Sequence, residues 1–174
     1  ANAGRRNVCP DELHVHRCKV GAANLNADVL AAQRGAGELD GVVRLHRLGA
    51  TQRGINLSLN VSPELPQVRG SAKALRQIVT NLVTNALKFT DRGSVSVTAE
   101  LVDCVTPDEP GTAAGDQQSL VIRVIDNGCG VSDDRKQTIF ERYETLNSPE
   151  EFATGIGLGL PIARRLAKLH GGTL

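Results

Sequence analysis

The stretch SAKALRQIVTNLVTNALKFT, residues 71–90, carries the clearest structural pattern in the chain. Its apolar residues recur three and four positions apart, which is typical of a helix that buries one stripe. The stripe comprises Leu75, Ile78, Val79, Leu82, Val83, Ala86 and Phe89. Ser71 stands just before it, where serine is a favoured N-cap. The pattern predicts a helix over 71–90 that packs onto another layer of structure.

Strands are predicted on both sides of this helix. INLSLNV (55–61) and SVSVTAELV (94–102) alternate apolar and polar residues, as half-buried strands do. A third strand is predicted over 119–126, and a shorter one over 14–20. A loop rich in Pro, Gly and Asp, residues 103–118, joins two of these strands without a helix. This argues against a doubly wound parallel sheet and favours an α+β fold, with helices layered on a mainly antiparallel sheet.

Further helices are expected outside this core. Residues 24–33 are predicted to begin a helix, the glycine-rich RGAGELDG (34–41) to interrupt it, and residues 42–54 to be weakly helical. Residues 132–140 suggest a short helix. LPIARRLAKLHGG (160–172) predicts a last helix that ends at its two glycines.

Length and composition limit the class of protein. The 174 residues are 40% apolar and 22% charged, which suits one globular domain with a real core. A net charge of +1 gives no reason to expect nucleic acid or an anionic membrane as a partner. We expect residues 13–174 to form one domain after a tail over 1–12. The absence of methionine and the ending HGGTL suggest a piece of a longer protein that lacks its C-terminal strands.

The four cysteines show neither a CxxC pair nor a metal-like spacing with histidine. Free thiols in a reducing compartment are the expectation, with a bridge or a metal as the alternative. No apolar run approaches the roughly 20 residues of a membrane span. We therefore expect a cytoplasmic domain, whether or not its parent protein is anchored in a membrane.

A row of polar residues runs along the predicted helix. Asn81 and Asn85 are four residues apart and share a face, and Lys88 follows three residues later on the same side. An asparagine oxygen is a suitable ligand for Mg²⁺, and lysine suits a phosphate. Solvated or capping asparagines on an amphipathic helix would explain the same spacing, so both interpretations remain open.

DNGCG, residues 126–130, follows the third strand. A carboxylate at the end of a buried strand is costly unless it is hydrogen-bonded. Gly128 and Gly130 allow a sharp turn and leave room for a flat ligand. Asp126 could then accept a hydrogen bond from an exocyclic amine such as that of adenine. A simple β-turn is the alternative, because Asp, Asn and Gly are common turn residues.

GIGLGL, residues 155–160, stands directly before the last predicted helix. Glycines at this place expose backbone N–H groups at the positive end of a helix, which is a suitable cradle for phosphate. The spacing is neither the dinucleotide fingerprint nor a P-loop. A flexible hinge is the alternative.

Taken in order, these motifs resemble a known family. N-L-x-x-N-A-x-K-F-T, D-x-G-x-G, I-F-E-R-Y, and G-x-G-L-G-L before a helix and H-G-G resemble the four boxes of the ATP-binding catalytic domain of sensor histidine kinases. DNA gyrase, MutL and the large heat-shock chaperone ATPases belong to the same wider family. The resemblance covers about residues 40–174. It implies a two-layer α/β sandwich of the Bergerat type, with ATP and Mg²⁺ as ligands.

The resemblance also implies roles for the motif residues. Asn85 would ligate Mg²⁺, Asn81 would support it, and Lys88 would contact phosphate. Asp126 would bind the adenine amino group, and residues 141–154 would form a lid. The other residues expected to line the nucleotide are Gly128, Gly130, Phe140, Gly155, Gly157, Leu158 and Gly159.

Asn81 separates two branches of that family. The gyrase, MutL and chaperone branch resembles E-x-x-x-N, where the glutamate activates water. Asparagine cannot act as a general base, so this chain resembles the kinase branch, which keeps the γ-phosphate for transfer.

No phosphoacceptor-like context H-E/D-x-R/K-x-P surrounds any of the four histidines, which are His14, His16, His46 and His170. The resemblance therefore implies an acceptor histidine on an upstream dimerisation domain of a homodimeric parent protein, and a response regulator as a further partner. A non-catalytic nucleotide-binding module is the alternative from another class.

Overall fold

The computed structural model describes residues 14–20, 29–30, 32–62, 68–69, 71–103, 118–136, 138–141 and 157–174. The predicted tail 1–12 lies outside these ranges. The predicted loop and the predicted lid also lie outside them, apart from their end residues Asp103, Gln118 and Glu141.

The described elements follow one another as strands, three helices and one 3-10 turn. In chain order they are β1 (His14–Val20), β2 (Val29–Leu30), α1 (Ala32–Gln52), β3 (Ile55–Val61), β4 (Val68–Arg69), α2 (Ala72–Phe89), β5 (Gly93–Asp103), β6 (Gln118–Asp126), the 3-10 turn Thr138–Phe140 and α3 (Gly159–Leu169).

The main sheet has four described strands in the order β1-β6-β5-β3. β1 and β5 both pair antiparallel with β6, and β3 pairs parallel with β5. The parallel pair is joined through α2, as a crossover connection requires. The prediction of a mixed, mainly antiparallel sheet is confirmed. β2 and β4 form a separate antiparallel pair.

One face of the sheet carries the core. The strand residues of this core cluster alternate along each strand, and they are Ile55, Leu57, Val95, Val97, Ala99, Leu120, Ile122 and Val124. The predicted stripe of α2 packs on them, with Ile78, Val79, Leu82 and Val83 almost completely buried. Full burial of one such side chain contributes about 1.5–3 kcal/mol. The helical layer and the sheet therefore form a two-layer sandwich, as expected for the fold class.

The predicted glycine-rich break over 34–41 is wrong, because α1 runs through it. Leu39, Val42 and Val43 form a buried stripe on this helix. Gly37 and Gly41 have no atom within 4 Å of the place where a Cβ would stand, so they face open space. A glycine in a helix costs about 1 kcal/mol relative to alanine, which is less than the burial of one stripe residue stabilises.

The predicted helix start over 24–33 is wrong at Val29 and Leu30, whereas Ala32 and Gln33 are helical. Val29 and Leu30 form β2, where they pair with Arg69 and Val68, and α1 begins only at Ala32. Two residues of pairing across the chain therefore override the local apolar pattern.

The short helix expected over 132–140 is instead a turn followed by the 3-10 turn. The backbone hydrogen bonds there are mostly of the i to i+3 kind, such as Glu141 N–H to Thr138 O at 2.7 Å. A segment this short gains too few hydrogen bonds to offset the nucleation of an α-helix.

The helix ends follow their sequence signals. Ser71 caps α2, because its Oγ accepts a hydrogen bond from Ala74 N at 3.3 Å. α3 ends at Leu169, and Gly171 after it has a positive φ of 69°. Glycine adopts that conformation without a steric penalty.

Candidate functional site

The polar row on α2 meets the start of α3. Asn81 Nδ2 donates to Gly159 O at 3.0 Å, and Asn81 Oδ1 accepts from Gln77 Nε2 at 3.0 Å. A Cβ on Gly159 would stand 3.8 Å from Asn85 Nδ2. Two motifs that lie 78 residues apart in the chain are therefore in direct contact.

Asn81 and Asn85 differ in what their amides do. The Asn81 amide bridges α2 to α3, which fixes its orientation. In the part of the chain that the structure describes, the Asn85 amide has no hydrogen-bond partner, although it is half-buried beside Gly159. The Asn85 amide is therefore available to a ligand.

Lys88 lies in the last turn of α2. Its Nζ stands 5.0 Å from the centroid of the Phe89 ring, which is within the range of a cation–π contact. A cation at this end of a helix is also favourable for the helix dipole. Lys88 thus brings a positive charge to the same helix as the two asparagines.

Asp126 ends β6 and is only 6% exposed. Its Oδ1 accepts a hydrogen bond from Gly128 N at 3.0 Å, which closes a tight turn. A buried carboxylate with one such bond keeps further acceptor capacity, since a carboxylate can accept about four hydrogen bonds.

The close approach to α2 requires the first glycine after Asp126, Gly128. A Cβ on Gly128 would stand 2.3 Å from Phe89 O, a distance that real Cβ atoms do not show. The next residue, Cys129, donates its N–H to the same oxygen at 3.2 Å. Gly130 has a φ of 79°. The sequence predicted room for a ligand here, and the structure adds that the loop is attached to the end of α2.

The second glycine motif is described from Gly157 onward, so Gly155 lies outside the described residues. Gly157 has a φ of 66°, Leu158 is the N-cap of α3, and Gly159 begins the helix. Leu158 provides no side-chain cap, and the first turn of α3 contains no acidic residue. The N–H groups at this helix start are therefore suited to an anion.

The Phe140 ring contacts a charged residue of α3, Arg164. The Arg164 guanidinium lies 5.0 Å from the centroid of the Phe140 ring. This contact joins the 3-10 turn to α3. A place for Phe140 against the nucleotide remains a prediction.

Sequence reasoning missed Arg53. Its Nη1 donates to Leu87 O at 2.7 Å, and its Nη2 donates to Thr90 O at 3.0 Å. Both acceptors are backbone oxygens at the end of α2. Backbone acceptors have no signal in the sequence. The only signal for a structural role of Arg53 is its position directly before a glycine and a strand.

The described residues contain no group of three or more His, Cys, Asp or Glu side chains that could hold a metal ion. None of their helices is long and apolar enough to cross a bilayer. Cys129 is exposed, and its thiol is free.

Comparison with known proteins agrees with this convergence of motifs on α2. The model of the histidine kinase-, DNA gyrase B- and HSP90-like ATPases matches residues 70–174. The chain belongs to this family of ATPases.

Individual relatives come from two-component systems. The chain is 34% identical over 171 residues to two-component system protein A of Emericella nidulans, covering 96% of this chain and 23% of that protein. It is 35% identical over 157 residues to histidine protein kinase DivJ of Caulobacter vibrioides, covering 87% of this chain and 24% of that protein. The chain thus spans about a quarter of the length of these two relatives.

A solved structure supports the same assignment. Full-length ShkA in complex with AMPPNP is 31% identical, with a TM-score of 0.60, and the match covers 83% of this chain and 26% of that one. The resemblance to the ATP-binding catalytic domain of sensor histidine kinases and the two-layer α/β sandwich are both confirmed.

Proposed function

We propose that this chain binds ATP with Mg²⁺ and transfers the γ-phosphate to a histidine on an upstream dimerisation domain of a two-component sensor kinase. The observation that carries the proposal is the meeting of three motifs on α2. Asn81 bonds Gly159 of the second glycine motif, and Phe89 O accepts from Cys129 of the first.

Asp126 is the proposed contact for the adenine amino group. Its carboxylate is buried, and one oxygen is already engaged by Gly128 N–H, so the loop holds it in a fixed orientation. A buried acceptor of this kind favours a ligand that donates a hydrogen bond. The relative ShkA, in complex with AMPPNP, supports an ATP-like ligand.

The donor set fits Mg²⁺. This ion prefers near-octahedral oxygen ligation and usually takes only one or two protein ligands beside substrate phosphates and water. Asn85, whose Nδ2 lies near Gly159 at the start of α3, offers one amide oxygen, and the described residues contain no carboxylate cluster. When bound there, Mg²⁺ would neutralise phosphate charge.

The protein groups around that position would orient the triphosphate. Phosphoryl transfer needs alignment and neutralisation of charge more than covalent chemistry by the protein. The N–H groups at the start of α3 and the Lys88 ammonium would supply positive potential. Asn81 holds the α3 start through its bond to Gly159 O.

The same Asn81 argues for transfer over hydrolysis. Its amide is already engaged at both its oxygen and its nitrogen, and an amide takes no proton from water at neutral pH. Water therefore lacks a base at the position where the hydrolytic branch of the family carries one. A phosphoacceptor that brings its own nucleophilic nitrogen suits this site better.

Neither histidine whose side chain is described suits the acceptor role. His46 Nε2 is buried within α1, and His170 is the C-cap of α3. None of the four histidines has the phosphoacceptor sequence context, so we place the acceptor on another domain, and a homodimeric parent protein and a response regulator belong to the proposal.

Calorimetry with Mg²⁺ and ATP tests nucleotide binding. Asp126→Asn is expected to weaken binding by about tenfold or more, because it removes a buried charged acceptor. Asp40→Asn is the matched control, since Asp40 pairs with the exposed Arg44 at 3.5 Å on the surface of α1. Equal affinity of the Asp126→Asn variant and the wild type would remove the adenine contact from the proposal.

Transfer requires a second assay. ATP labelled at the γ-phosphate is incubated with the chain and a dimerisation domain that carries the H-E/D-x-R/K-x-P motif. Acid-labile label on that domain is the expected result. Nucleotide binding without any transfer would instead favour the non-catalytic module.

A further inference from the structure

The carbonyl groups at the end of α2 have unusual partners. The last carbonyl oxygens of a helix lack N–H donors within the helix, so donors from elsewhere must satisfy them. Here Leu87 O and Thr90 O accept from the Arg53 guanidinium, and Phe89 O accepts from Cys129 N–H. One arginine and one glycine loop therefore hold the same helix end.

Arg53 approaches from a short, well-defined turn. Its own N–H donates to Ala50 O at 3.0 Å, and Gly54 N–H donates to Thr51 O at 3.0 Å. Gly54 has a φ of 72°, and β3 begins immediately after it at Ile55. The backbone of Arg53 is thus fixed between a helix and a strand, and its rigid planar fork is suited to two separate acceptors.

The loop after Asp126 packs so tightly against the end of α2 that neither can move alone. Gly128 stands so close to Phe89 O that a Cβ there would lie 2.3 Å from it. The Cys129 N–H bond to Phe89 O and the Gly128 N–H bond to Asp126 Oδ1 are consecutive along the loop. A displacement of the α2 end would therefore move the loop that orients Asp126.

We propose that Arg53 is a positioning residue for the nucleotide site. Its two side-chain hydrogen bonds go to backbone oxygens at the end of α2, and it acts through that helix: the two bonds set the place of Phe89 O, and Phe89 O sets the loop after Asp126. The expected effect of Arg53 on nucleotide affinity rests on the proposed nucleotide-binding function. Its expected effect on the structure of the loop does not.

The chain offers a matched control at the other half of the same helix. Arg76 Nε contacts Glu38 Oε2 at 2.5 Å, so it also joins α2 to α1 through an arginine. This pair is largely exposed on the arginine side and stands five residues before Asn81. Arg76→Gln removes an arginine contact between α1 and α2 without touching the helix end.

The test compares Arg53→Gln, Arg53→Lys and Arg76→Gln with the wild type. Amide hydrogen exchange of Cys129 reports the loop directly, with Val97 in the centre of β5 as the internal reference. Arg53→Gln is expected to speed exchange at Cys129 by about tenfold, as loss of a charge-assisted hydrogen bond commonly does, and to leave Val97 unchanged. ADP affinity is expected to fall by a similar factor.

The other variants separate positioning from general stability. Arg53→Lys keeps three donors on one ammonium, so it is expected to restore part of the Cys129 protection and of the ADP affinity. Arg76→Gln is expected to change neither. Equal effects of Arg53→Gln and Arg76→Gln, or unchanged Cys129 exchange in Arg53→Gln, would overturn the proposal.

Two other results would also decide the proposal. If Arg53→Gln does not fold, Arg53→Lys decides, and wild-type Cys129 exchange in that variant overturns the proposal. If the wild type itself binds no ADP, the nucleotide-binding function fails, and the effect of Arg53 on the site fails with it. Cys129 exchange then still reports whether Arg53 holds the loop.

Discussion

The two halves of α2 bury the same apolar stripe, but they are held in different ways. At the N-terminal half, Ser71 caps its own helix, and the largely exposed Arg76 pairs with Glu38. At the C-terminal half, the helix contacts three other segments, through Asn81 to Gly159, Arg53 to Leu87 O and Thr90 O, and Cys129 to Phe89 O.

This difference separates stability from function within one helix. Burial alone would keep α2 on the sheet, because the stripe runs along both halves. The extra polar bonds occur where the candidate ligand groups stand. Such bonds add little net stability each, but they select one arrangement of the groups that they join.

The largest expected effect comes from Gly128→Ala. The new methyl group would meet Phe89 O at 2.3 Å, so either the loop or the helix end must move. We expect a loss of about 1–3 kcal/mol in the free energy of unfolding, measured by urea denaturation, together with the loss of ATP binding.

Gly41→Ala is its matched control. Gly41 lies in α1 with open space beside it, so alanine is expected to stabilise the protein by about 0.5–1 kcal/mol through its better helix propensity. Wild-type ATP affinity and stability in Gly128→Ala would show that the loop does not need its close approach to α2.

Asn85→Asp tests the C-terminal half without disturbing its packing. The substitution adds a negative charge next to the proposed phosphate position and is expected to lower the transfer rate by about 100-fold. The unfolding free energy should stay near that of the wild type, because Asn85 has no hydrogen-bond partner among the described residues.

Asn56→Asp makes the same chemical change on the exposed face of β3 and should leave transfer intact. Near-normal transfer in Asn85→Asp would remove Asn85 from the metal role, whereas slow transfer in both variants would point to a general effect of charge.

Asn81→Asp breaks the contact between α2 and α3. A carboxylate cannot donate to Gly159 O and would repel it, so we expect a loss of about 1–3 kcal/mol in unfolding free energy. Faster amide exchange at the start of α3 should accompany it. Unchanged exchange there would mean that the bond to Gly159 O does not hold the two helices together.

How much of the fold and of the site the sequence predicts depends on what each residue contacts. The α2 stripe and the alternating strands were predicted because burial imposes a period on side chains. The break predicted over 34–41 failed because the burial of Leu39, Val42 and Val43 outweighs the helix penalty of the glycines.

The site shows the same limit. Asn85 and Asp126 stand in motifs whose spacing is visible along the chain. Arg53 was not found, because its acceptors are backbone oxygens 34 and 37 residues away, and every residue carries such an oxygen. The fixed approach of Gly128 to Phe89 O likewise depends on tertiary structure that no local pattern encodes.

A smaller effect, on the pH dependence of the unfolding free energy, is expected from His46 on α1. In the chain, His46 lies between Glu38, which contacts the N-terminal half of α2, and Arg53, which contacts its C-terminal end. Burial lowers the pKa of His46 below its ordinary value of 6.5. The unfolded chain therefore binds the proton more tightly, and the unfolding free energy should fall as the pH drops below about 6.5. Because the side chain is only half-buried, the slope should be a fraction of the roughly 1.4 kcal/mol per pH unit of one whole proton.

Urea denaturation between pH 5 and about 8 measures that slope, a range set by the ordinary histidine pKa. His46→Leu should flatten the curve in the acidic part of the range and leave it unchanged above neutrality. An equal acidic slope in His46→Leu would assign the pH dependence to other groups.

Thr90→Val is expected to have the smallest effect, and it separates the backbone of the α2 end from its side chains. Thr90 is fully buried, and its Oγ1 has no hydrogen-bond partner within the described residues, whereas its carbonyl accepts from Arg53. Valine has nearly the same shape and removes only the hydroxyl, so we expect a change in unfolding free energy within about 1 kcal/mol, with the bond from Arg53 retained.

Unchanged Cys129 exchange in this variant, beside fast exchange in Arg53→Gln, would show that the carbonyl oxygens of the helix end hold the loop. A large loss of stability would instead mean that the Thr90 hydroxyl has a partner of its own.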